Sequence, residues 1–131
     1  MEPLHANVII ALALLQAQAA NTPTTIGQIS ELFSRLLEHD IDIPVVQRWT
    51  PQGYFCDEVA DFIGYLASTG YARMADQGLI YVFPDGIDIC KTLINAKREE
   101  ASHAQHLEEI ARILGIDLTA LSLPTKKAGE P

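Results

Sequence analysis

The sequence predicts a mainly helical domain carrying one β-hairpin. Three observations predict it. Apolar residues recur at helical spacing in several stretches separated by Gly, Pro and Asn stops. One short pair of β-rich runs, Tyr71–Met74 and Leu79–Phe83, brackets a four-residue turn containing Gly78. The chain has 131 residues, 48% of them hydrophobic, which suffices for one core and is short for two ordinary ones. Residues 1–122 are expected to form that domain, and 123–131 to be a frayed tail.

The first helix follows Pro3. Leu4, Val8, Leu12, Leu15 and Ala19 lie near one face, and alanines fill the rest. A helix this apolar on most sides is predicted to be buried in the domain or at a subunit interface. Asn21-Thr22-Pro23 ends it. Thr25 and Gln28 have capping-box spacing and open a second helix with the stripe Ile29, Leu32, Phe33, Leu36 and Leu37. Residues 39–56 are the least regular. Ile41, Ile43 and Val45 fit a short edge strand, and Thr50-Pro51-Gln52-Gly53 is a turn. A short helix around Val45–Trp49, or a functional insertion, would also account for this segment.

A third helix runs from Asp57, the expected N-cap, to Ser68, burying Val59, Phe62, Ile63 and Leu66 before a Thr69-Gly70 stop. After the hairpin, Asp85 is the expected N-cap of a fourth helix through Ile87, Cys90, Leu93 and Ile94. Ser102 and Gln105 repeat the capping-box spacing, so this helix either breaks there or runs on through Leu107, Ile110, Ala111 and Leu114 to Gly115.

The passage Val59–Ala72, with Leu66, Gly70 and Tyr71, resembles the recognition-helix-to-wing segment of winged-helix proteins. Phe83-Pro84-Asp85-Gly86-Ile87 is similar to the turn that ends the wing in many bacterial winged-helix regulators, with Phe83 in place of the usual threonine. The resemblance spans about residues 24–94. It implies a winged-helix-like fold with a C-terminal helical extension, and DNA binding through the third helix. The departure is the 39–56 insertion, since winged helices usually join these helices by a short turn.

Charge opposes the DNA expectation. The net charge is −8, and residues 57–90 hold six acids against the single base Arg73. A like-charged face repels the phosphate backbone. The sequence therefore favours a regulatory or assembly module acting by protein contacts. A DNA-binding regulator using Arg35, Arg48 and Arg73 is the alternative. Arg48, Trp49, Tyr54, Phe55, Asp57, Glu58 and Asp61 are the candidate partner-binding residues, because Trp, Tyr and Arg are enriched in hot spots. The bland reading of these aromatics, as a lid folded back over the core, is the one their composition favours. A twofold homodimer through the first and last helices is expected.

No catalytic motif is present, so an enzyme is not expected, and no cofactor is implied. His103 and His106, three residues apart, offer a further alternative, a metal pair. The two cysteines, Cys56 and Cys90, read as small buried hydrophobes. The longest apolar run, Val8 to Leu15, is far shorter than the roughly 20 residues of a membrane span. Residues 1–20 show no basic n-region, so cytoplasmic residence is the default expectation.

Overall fold

A computed structural model describes residues 5–41, 43–51 and 53–121; the expected C-terminal tail lies outside them. The fold is mainly helical, with five helices and two antiparallel hairpins among the described residues.

Helix α1 (Ala6–Ala19) is the central element. Every residue from Val8 to Leu15 is buried, so the helix has no polar face along this stretch. It packs mainly against α4 (Pro84–Arg98) and α3 (Asp57–Ser68). The apolar surface that suggested a subunit interface is therefore covered within one chain. Helix α2 (Ile26–Glu38) opens with a complete capping box: Gln28 N–H donates to Thr25 Oγ1, and Thr25 N–H to Gln28 Oε1. Ile29, Phe33 and Leu36 join the common core.

Four helices stop in the same way. Asn21, Asp40, Gly70 and Gly115 each take a positive φ after α1, α2, α3 and α5 (Ala101–Leu114) respectively. The next amide then bonds back into the last turn, as Tyr71 N–H does to Leu66 O at 2.8 Å and Ile41 N–H to Leu36 O at 2.9 Å. These are Schellman closures, which satisfy carbonyls the helix leaves orphaned.

Three expected boundaries are corrected. Cys56, not Asp57, occupies the N-cap of α3, and Asp57 is the first helical residue. Phe83, not Asp85, caps α4, with Pro84 at the first helical position, where its missing N–H leaves no bond unmade. The break between α4 and α5 falls at Glu99-Glu100, ahead of Ser102.

The predicted hairpin is present as β3 (Ala72–Met74) and β4 (Ile80–Val82). Its inner residues Ala72 and Ile80 are buried, and Ile80 N–H donates to Thr24 O at 2.9 Å, joining the strand to the chain just ahead of α2. Gly86 lets α4 begin against this hairpin, since a Cβ there would run into the Tyr71 carbonyl oxygen and Val82 Cγ1. Among the described residues of 39–56 there is no helix over Val45–Trp49, and Ile41, Ile43 and Val45 lie outside any strand. The segment forms a second hairpin, β1 (Gln47–Thr50) with β2 (Gly53–Cys56). Ile41 and Ile43 are buried as core residues instead.

Candidate functional site

The β1–β2 hairpin gathers most of the residues that the sequence marks for binding. Thr50 pairs with Gly53, leaving a two-residue loop, and Thr50 Oγ1 donates to Gly53 O at 2.9 Å. Gly53 takes φ +116°, a conformation that L side chains resist. The register sets Trp49 opposite Tyr54 and Arg48 opposite Phe55. Directly opposed residues of an antiparallel pair lie side by side. The Trp49 and Tyr54 rings are accordingly 4.0 Å apart at 41°, and the Arg48 guanidinium sits 5.4 Å from the Phe55 ring centre.

The hairpin is braced from two sides. On the α2 side, the fully buried Ser30 Oγ donates to Ile26 O at 2.7 Å and accepts from Cys56 N–H at 3.0 Å. On the α3 side, Glu58 Oε1 accepts from Val46 N–H at 2.8 Å, Asp57 N–H donates to Val46 O, and Arg48 pairs with Asp57 at 2.6 Å. Asp57 and Glu58 thus hold the chain's own hairpin in place. Of the three acids in the candidate set, only Asp61 is fully exposed.

Trp49 does not fold over the core as a lid. It is 73% exposed, while Tyr54 and Phe55 are half-buried. The outer face of α3 carries Asp61, Gly64, Tyr65 and Ser68, with no base.

The three arginines sit in different local settings. Arg35 lines a groove beside the ends of α1 and α5, Arg48 lines another beside the β3–β4 hairpin, and Arg73 stacks on Tyr81 at 4.9 Å. His103 and His106 turn inward. His103 is 8% exposed and shares a 3.0 Å hydrogen bond through Nδ1 with Glu100 Oε1. His106 Nδ1 is buried with no hydrogen-bond partner. The bond to His103 holds the Glu100 carboxyl below the usual carboxylate range. Among the described residues, no group of three or more His, Cys, Asp or Glu is placed to hold a metal. Both thiols are buried, and desolvation pushes Cys56 up to about 11 and Cys90 to about 12. They are therefore neutral and weakly nucleophilic near pH 7.

Sequence reasoning missed the β1–β2 hairpin itself, although the signal was present. Arg48-Trp49-Thr50 and Tyr54-Phe55-Cys56 flank a Pro/Gly turn, the pattern that identified the other hairpin. No helix among the described residues is long and apolar enough to cross a membrane. Comparison with protein-family models, curated proteins and solved structures yields no match.

Proposed function

We propose that the chain is a non-catalytic regulatory or assembly module working mainly by protein contacts, with the β1–β2 hairpin as its contact point. The observation that carries this is Trp49, a large aromatic 73% exposed yet held by Tyr54 on a braced strand. A rigid, exposed Trp packed on a Tyr loses little entropy on binding, and both residue types are enriched in interface hot spots. Affinity capture with the intact chain tests the proposal. Trp49→Ala is expected to lower partner retention by about tenfold or more, with unfolding free energy changed by less than about 0.5 kcal/mol. Equal retention by wild type and variant overturns it.

The alternative, a winged-helix regulator that binds DNA, is supported by the element order and by the Thr24–Ile80 bridge, which sets a short extended segment beside the β3–β4 hairpin ahead of α2. Its cost is the unrelieved Asp61 on the outer face of α3. Titration of random duplex DNA at low and high salt separates the two, because phosphate contacts make affinity fall steeply with salt. If two copies pair through the first and last helices, the exposed Gln18–Ala20 end of α1 and the polar outer residues of α5 must supply the contact. Sedimentation distinguishes that dimer from a 14.4 kDa monomer.

A further inference from the structure

Beside the β1–β2 hairpin lies an open groove of about 470 Å³, bounded also by the first turn of α2 and by the β3–β4 hairpin. That volume falls within the range of small-molecule sites. Ile26, Tyr54, Phe55 and Met74 line it as apolar residues, and Arg48 is the one charged residue lining it among the described residues. We propose that this groove binds a small apolar monocarboxylate of arylalkanoate size. Its carboxylate meets the Arg48 guanidinium, and its hydrocarbon part lies between the aromatic strand and Met74.

The charge at the site selects the ligand class. A guanidinium carries five N–H donors in a planar fork. Arg48 gives one Nη2 bond, to Asp57 Oδ1, and its side chain is 60% exposed. The guanidinium carbon lies over the Phe55 ring, which restrains the head group. A carboxylate can therefore take the remaining donors without breaking the Asp57 pair. An amine would face the guanidinium, and a neutral amide would offer its donors one uncharged carbonyl oxygen in place of a carboxylate's two charged ones. The positive end of α2 at Thr25–Gly27 favours the same sign of charge. Asp57 acts in the opposite sense, as a resident anion that weakens the field Arg48 presents. This site does not depend on the protein contact proposed above.

The test uses the intact chain with 3-phenylpropanoate and the isosteric 3-phenylpropanamide, followed by calorimetry and by Trp49 fluorescence. Trp49 is the single tryptophan and stacks on Tyr54, which lines the groove. The acid is expected to bind about tenfold tighter than the amide, since hydrogen bonds between charged groups are the strong ones. Arg48→Met should weaken the acid far more than the amide and so abolish the preference between them. Asp57→Asn should tighten the acid by about two- to fivefold, because it removes a competing charge. Equal binding of acid and amide overturns the proposal, as does weaker acid binding in Asp57→Asn, or no saturable acid binding by about 10 mM. Should Arg48→Met fail to fold, Met74→Asp replaces it. An anion on the opposite wall must then weaken the acid more than the amide.

Discussion

The two hairpins share an architecture and differ in what holds them. The β3–β4 hairpin is part of the core: Ala72 and Ile80 are buried, Thr24 bonds to its outer strand, and α4 begins in contact with it at Gly86. The β1–β2 hairpin is held at its base, through Ser30, Glu58 and the Arg48–Asp57 pair, and carries its largest side chain in water. The first is fixed mainly by packing, whereas the second adds several polar bonds at its base to the burial of Cys56.

The largest effect is expected at the β3–β4 hairpin. Gly86→Ala drives a methyl into the Tyr71 carbonyl and Val82, and overpacking of this kind costs about 3 kcal/mol in chemical denaturation. A loss below about 1 kcal/mol would show that α4 shifts easily and that this hairpin is less firmly seated than its burial implies. At the other hairpin, Ser30→Ala orphans the buried Cys56 N–H and should cost about 2 kcal/mol. It should also change Trp49 emission, whereas Gly86→Ala at matched stability should not.

The two cysteines report on the regions separately. Cys56 ends β2, and Cys90 lies in α4 within the core. Disulfide-exchange labelling of the native chain at pH 8 should be slow at both, and about tenfold faster at Cys56 if the hairpin opens by itself. Equal rates would mean that both hairpins unfold only with the whole domain. The sign of the pH effect follows from the raised thiol values. Burial favours the neutral form, so this contribution to stability is complete below the ordinary thiol value of 9.0 and is lost as pH climbs through about 11 and 12.

Gly64 is a control on α3. It is exposed and helical, with open space where an alanine methyl would stand, so Gly64→Ala should stabilise the chain by about 1 kcal/mol. The smallest effect belongs to the exposed Arg48–Asp57 pair. Arg48→Met should change global stability by less than about 1 kcal/mol while moving Trp49 emission. A larger loss would make this ion pair, and not Ser30, the main brace of the hairpin.

Much of the helical frame was legible in the chain. The Thr25–Gln28 cap, the α3 stripe, the Gly70 stop and the β3–β4 hairpin all follow from local chemistry, and the structure contains each of them. Of the expected α2 stripe, Ile29, Phe33 and Leu36 are buried and Leu32 half-buried, but Leu37 is 52% exposed. The Asp40 closure was harder to read, because a non-glycine residue at positive φ leaves only a weak trace in sequence. The candidate site was legible as residue types but not as geometry. Trp49, Tyr54 and Arg48 were identifiable as hot-spot residues, whereas their facing partners depend on a strand register that shifts every contact if it slips by one residue.

By itself the sequence determined where helices start and stop, because caps, glycines and apolar periodicity act over a few residues. Tertiary structure alone decided that α1 is buried on all sides from Val8 to Leu15, and that Asp57 and Glu58 turn toward Arg48 and Val46. Those outcomes depend on which distant surfaces meet, and burial and charge pairing are properties of the meeting, not of the residue.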